Sequence, residues 1–262
     1  MKIIHLSDLH IGKSNNLEKI SQLVQWILNQ KKIHQASVVA ISGDITDDGA
    51  DWQFQQAREM LDRLTEAGFT VLPVPGNHDY GLFGITESKK SAANFRKYLS
   101  GQVEYPHLVV IERTAFLLLN SMEGEFSAVE MIGAEGSLGK KQLKRLAGIL
   151  EELGENSAIK RVILILHHHP FDLKRFHVMR DAKRFLKILK DKKQMMKGKA
   201  AVLFGHKHVE KRYNDPEDHK EDSYGLDLIY ASGSTVERNQ EGKMVVPVID
   251  LDDLVITRYK ID

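Results

Sequence analysis

Apolar runs of strand length alternate along this chain with segments whose apolar positions recur every three or four residues, a rhythm that predicts a layered α/β fold. KIIHLSDLH reads as a strand ending in polar residues, after which Leu17, Ile20, Leu23, Val24, Ile27 and Leu28 share one helical face. ASVVAISGD is the second strand, DWQFQQAREMLDRLTEAG a helix closed by Gly68, and FTVLPVPGNHD the third strand. The opening is therefore βαβαβ. LVVIE and AFLLLN predict a hairpin around Arg113 and Thr114, and GKKQLKRLAGILEEL aligns Leu143, Leu146, Ile149, Leu150 and Leu153 on one helical face.

RVILIL, AAVLFG, LDLIYASG, MVVPVIDL and LVITRYKI supply further strands with less helix between them. That change predicts mixed and antiparallel pairing toward the C-terminus and more than one sheet. NDPEDHKEDSYG, residues 214–225, is the most polar stretch and is expected to be an exposed loop. With no fixed-period repeat and no linker, residues 1–262 are expected to form one domain.

Composition adds exclusions. An apolar content of 42% with 28% charged residues rules out disorder as the organising property. The formal charge of +1, without a basic stretch carrying interleaved aromatics, argues against nucleic acid as a partner. Cysteine is absent, so any metal must sit on His, Asp, Glu or Asn. The apolar stretch in MKIIHLSDLH is too short for a signal-peptide core, and no run approaches a membrane span, so a cytoplasmic location is expected.

Five strand ends carry candidate ligands: Asp8 and His10 in DLH, Asp44 in GD, Asn77 in GNHD, the run His167, His168 and His169, and His206 and His208 in GHKH. Each alone is as readily a turn or a helix cap. Their succession at strand ends is what chance does not supply, because ligands gather at the carboxyl ends of strands in α/β sheets. Strand pleating is expected to aim Asp8 with His10, and His206 with His208, to one side. Carboxylate, amide and imidazole without sulfur suit Mn, Fe, Co or Zn. Seven such groups suit two ions that share a carboxylate.

In this order, DLH, GD, GNHD, HHHP and GHKH resemble the motif series of the calcineurin-like metallophosphoesterase superfamily, and most of all its bacterial class III cyclic-nucleotide phosphodiesterase branch. The resemblance spans roughly residues 2 to 235. It implies a four-layer αββα sandwich of two mixed β-sheets flanked by helices, with two divalent metal ions (Mn, Fe, Zn or Co) at strand ends. Asp8, His10 and His208 would hold the first ion, and Asn77, His206 and one histidine of the run the second, with Asp44 bridging. An ungapped match selects His167, which directly ends the run Val162 to Leu166; sliding by one selects His168. His169 would face the pocket rim or solvent.

His78 matches the catalytic histidine, and Asp47 an acidic position that orients it in some relatives. The resemblance further implies a phosphohydrolase in which hydroxide between the ions attacks a phosphodiester, such as a cyclic nucleotide, or a phosphomonoester. The partner is then a small-molecule phosphoester, and a homodimer is compatible with the branch. Tyr80, Phe83 and Phe171 are candidates to wall the pocket and stack on a nucleobase. Trp26 and Trp52 read as packing residues, and His5, His34, His107, His177 and His219 carry no motif. The alternative function is a catalytically silent scaffold that binds a protein partner. Silent relatives typically lose ligands or the catalytic histidine, and here every position is filled.

Overall fold

In strand β2 (Ala36–Ser42), Val38 and Ala40 point to one core while Val39 and Ile41 point to another. The same division recurs in β6 (Arg161–Ile165) and β7 (Lys199–Phe204), so these strands are covered on both faces, as their unbroken apolar runs require. The computed structural model describes residues 1–81, 88–124, 135–171, 179–194, 196, 198–214 and 223–262.

One sheet has the order β11-β10-β1-β2-β3, built from β1 (Lys2–Leu6), β2, β3 (Thr70–Val74), β10 (Met244–Asp250) and β11 (Ile256–Ile261). β1, β2 and β3 run parallel, and β10 and β11 add antiparallel. The other sheet has the order β4-β5-β6-β7-β9-β8, with β4 (His107–Ile111), β5 (Thr114–Leu118), β8 (Lys211–Arg212) and β9 (Leu228–Ala231). Ile3, Val38, Phe116, Ile163, Leu203 and Tyr230 lie in the core between the sheets. Helices α1 (Asn16–Asn29) and α3 (Asp51–Glu66) cover the first sheet, and α5 (Gly139–Glu155) and α6 (Ala182–Asp191) the second. The result is the four-layer αββα sandwich of two mixed sheets.

Every strand read from the sequence is present. The α3 C-terminus closes as a Schellman motif, in which Gly68 N–H donates to the Thr65 carbonyl (2.9 Å) and Phe69 N–H to that of Leu64 (3.1 Å). Gly68 supplies the required left-handed backbone at φ 88°. Two details differ. Leu17 is 41% exposed in the first turn of α1, where Asn16 is the buried residue. The hairpin turns at Glu112 and Arg113, since Ile111 pairs with Thr114 and Glu112 takes φ 52°.

Helices α2 (Lys31–His34), α4 (Lys89–Phe95) and α6, and the short β8, were not singled out by the pattern. Residues 215–222 of the polar loop lie outside the described residues, and its described ends are half-buried. Among the described residues no helix is long and apolar enough to cross a membrane.

Candidate metal centre

The parallel strands of both sheets end at one edge, where their following loops interlock. Asp8 N–H donates to the Gly43 carbonyl (3.1 Å), His10 N–H to that of Asp44 (3.0 Å), and Gly205 N–H to that of His167 (3.1 Å). Pleating does not aim the side chains, because β1 stops at Leu6 and β7 at Phe204. Left-handed backbone does so instead: φ is 54° at Asp8, 46° at His10, 49° at Asp44, 79° at His206 and 53° at His208. Left-handed geometry costs roughly 1–2 kcal/mol for each non-glycine residue, so this concentration persists only where neighbouring contacts over-determine it.

Overlapping donor sets result. Asp8, His10 and His208 bring one ligand atom each within 4.8 Å of one another, as do Asp8, Asp44 and His167, and His10, Asp44 and His78. His167 Nε2 lies 3.2 Å from Asp44 Oδ2, 3.0 Å from Asn77 Oδ1 and 3.1 Å from His206 Nδ1. Its other nitrogen, Nδ1, donates to the Ser42 carbonyl (2.7 Å), which fixes the ring. His10 Nε2 and His208 Nε2 face each other at 3.2 Å. All seven expected ligands therefore meet at one place, and Asp44 is grouped with His10 as well as with His167.

Glycine permits this crowding. A Cβ on Gly76 would stand 2.1 Å from Asp44 Oδ1, and one on Gly43 would stand 2.6 Å from His167 Nδ1. At Gly205 it would meet Ser7 Oγ at 1.8 Å and Asp8 Oδ2 at 2.7 Å. The glycines of GD, GNHD and GHKH are thus cradles for the donor side chains beside them. Asp79, to which the sequence reading gave no role, clips two of these loops together. Its carboxylate accepts from Thr46 N–H (2.7 Å), Thr46 Oγ–H (2.9 Å), Gly76 N–H (2.9 Å) and Ile45 N–H (3.2 Å).

The electrostatics ask for positive charge. Burial pushes the Asp44 carboxyl up, but His167, His78 and His10 together hold it well below the usual carboxylate range. Burial pulls the His167 imidazole down, yet Asp44 and Asp8 raise it to about 9. Burial, with the Asp44 charge adding, lifts Asp79 to about 6. Buried carboxylates that draw protons onto imidazole offer divalent cations the same compensation, and the donor set fits them.

His78 is half-buried at the edge of the cluster, where its ring meets that of His10 edge-on at 4.6 Å. Its Nδ1–H donates to the backbone carbonyl of Asp47 (2.6 Å). The expected orienting contact is therefore made by backbone, and the Asp47 carboxylate lies 3.3 Å from His10 Nδ1. His168 is in the same imidazole group as His167 and His206, but its Nδ1 bonds Ser121 Oγ (2.8 Å).

His169 is fully buried, which corrects the expected place at the rim: it bonds the Tyr213 hydroxyl and packs on Phe204. Tyr80 is also buried, with its hydroxyl accepting from Asn120 (3.0 Å), and Phe171 joins the Phe204, Tyr213 and Tyr224 cluster. Tyr80 is packed rather than presented to a ligand, whereas Phe171 is half-buried. Phe83, His177 and His219 lie outside the described residues. Trp26 packs on Tyr259, whereas Trp52 is 50% exposed.

A two-sheet sandwich with carboxylate, amide and imidazole donors at its strand ends is the frame of a metal-binding hydrolase. The sequence model of the calcineurin-like phosphoesterases matches residues 1–210, and the chain belongs to that family of phosphoesterase enzymes. It is 28% identical over 217 residues to the probable cyclic nucleotide phosphodiesterase of Coxiella burnetii, covering 79% of this chain and 76% of that one.

Among solved structures, a dimetal phosphatase from Danio rerio superposes with TM-score 0.62 at 14% identity, over 99% of this chain and 95% of the other. A purple acid phosphatase from yellow lupin gives 0.62 at 10% identity, over 99% and 51%. At these identities the structural likeness concerns the fold.

Proposed function

We propose that the protein, one domain over residues 1–262, hydrolyses a small phosphodiester at a centre for two divalent ions. The observation that carries this reading is the position of Asp44, which is grouped with His10 on one side and with His167 on the other. Asp8, His10 and His208 would hold one ion, Asn77, His167 and His206 the other, and Asp44 both. Two bound ions lower the pKa of a shared water and neutralise phosphoryl oxygens.

The protein's own residues supply the rest. Asp44 has two oxygens to divide between the halves, and Asn77 contributes an oxygen without adding negative charge that would repel phosphate. His78, held through Nδ1, keeps Nε2 for the substrate side, and as the doubly protonated imidazolium is suited to protonate the leaving oxygen. Among these residues only His78 and His208 are half-buried, so substrate approaches from their side. The similarity to a probable cyclic nucleotide phosphodiesterase supports a diester, and the near-neutral charge supports a small one.

The test is Mn-dependent hydrolysis of bis(p-nitrophenyl) phosphate and of the monoester. Asp44→Asn is expected to lose both activity and metal. His78→Ala is expected to keep its metal and lose turnover by about 10²-fold, the scale of general acid catalysis. Full turnover in His78→Ala would remove that residue from the reaction, and a metal-loaded wild type that turns over neither ester would remove the hydrolytic reading.

A further inference from the structure

The family match ends at residue 210, yet a later segment of the chain closes the site. Residues 231–237, ASGSTVE, leave β9 and cross the ends of β7 and β1. Ser232 N–H donates to the Phe204 carbonyl (2.9 Å), and Thr235 N–H to that of Ser7 (3.0 Å). Ser7 N–H in turn donates to Thr235 Oγ1 (3.0 Å), and Ser234 Oγ–H to the Asp8 carbonyl (2.8 Å). The segment is thus pinned to the DLH loop, and its last residue, Glu237, reaches His208: Oε1 lies 2.8 Å from Nδ1.

We propose that Glu237 is a positioning residue for the half of the centre formed by Asp8, His10 and His208, an inference that rests on the two-ion reading above. An ionised carboxylate only accepts hydrogen bonds, so this contact places the proton of His208 on Nδ1 and turns the lone pair of Nε2 toward His10 and Asp8. His208 Nε2 lies 3.2 Å from His10 Nε2 and 3.4 Å from Asp8 Oδ1, the direction in which an ion would be held.

Asp47 Oδ1 lies 3.3 Å from His10 Nδ1, within ion-pair distance but without a hydrogen bond. Both imidazoles of this half therefore have a carboxylate near Nδ1, and only that of His208 is hydrogen-bonded to it. In the other half, the contact behind His167 is a neutral backbone carbonyl, that of Ser42. Glu237 consequently acts on one ion and not on both. Carboxylate partners behind metal-bound histidines change metal affinity by about 10- to 100-fold, whereas exposed ion pairs contribute little to folding. A positioning role and a merely structural one are separable on that basis.

The experiment is Mn²⁺ titration calorimetry on chelator-stripped wild type, Glu237→Gln and Glu237→Ala, with melting of each metal-free protein and the electronic absorption of each Co²⁺-loaded protein. Glu237→Ala is expected to weaken one of two Mn²⁺ affinities by about 10-fold or more. The other affinity and the metal-free melting temperature should stay as in wild type, and the Co²⁺ spectrum should change. Glu237→Gln keeps an acceptor oxygen and should lose less.

Wild-type affinity for both ions in Glu237→Ala would overturn the proposal, as would equal weakening of both ions together with a lower metal-free melting temperature. A wild type that binds no ion overturns this inference and the two-ion reading together. Selective weakening in the variants of a protein without esterase turnover supports Glu237 and removes the hydrolytic reading alone.

Discussion

At the scale of single residues, the histidine run shows how adjacent side chains of one type take different tasks. His167 directly follows the apolar stretch of β6 and points into the interlocked loops, where Nε2 meets Asp44, Asn77 and His206. His168 turns Nδ1 to Ser121, and a Cβ on Gly136 would sit 2.3 Å from its ring. His169 goes into an aromatic cluster with Phe204 and Tyr213. His167→Ala is therefore expected to hold one ion per chain, and His168→Ala two. Elemental analysis after dialysis against excess Mn²⁺ separates the outcomes, and the reverse stoichiometries would transfer the ligand role to His168.

At the scale of elements, the donor residues were legible because each follows an apolar run, and the parallel order of the strands carries those ends to one edge. The mechanism of convergence was not legible. Pleat periodicity describes strands, and five of the seven donors lie beyond them in left-handed backbone that no alternation of apolar and polar residues encodes. The clip formed by Asp79 and the pinning of residues 231–237 escaped for a related reason: their partners are distant in sequence, and neither has a local pattern of its own.

What the motifs did encode is the space their glycines leave. Gly76→Ala would drive a Cβ against the Asp44 carboxylate and also to 2.4 Å from the Asp44 backbone nitrogen, which cannot swing away as a side-chain tip can. The expected result is destabilisation by about 1–3 kcal/mol, a melting temperature lower by several degrees, and reduced metal uptake. Gly148→Ala, within α5 with nothing inside 4 Å, is the control and should stabilise by about 0.5–1 kcal/mol. Equal melting temperatures for wild type and Gly76→Ala would show that the GNHD loop relaxes.

For the whole molecule, the core between the sheets links acid stability to the edge that bears the site. His5 lies on the inner face of β1, fully buried against Tyr230, and its Nε2 is 2.9 Å from Ser42 Oγ, two residues before Asp44. Burial depresses its imidazole to about 3, with the Asp8 charge opposing. The folded protein therefore keeps His5 neutral, while the unfolded chain protonates it near pH 6.5. Its contribution to stability is complete above pH 6.5 and is lost as the pH falls toward 3. Between pH 6.5 and about pH 4.5 the loss attributable to this one side chain is about 2–3 kcal/mol.

His5→Gln retains a polar partner for Ser42 without a titrating group. Urea unfolding of the metal-free proteins at both pH values should show wild type losing more stability than the variant by that amount. Equal losses would mean that water reaches His5 and that the two sheets part at this edge before the molecule unfolds.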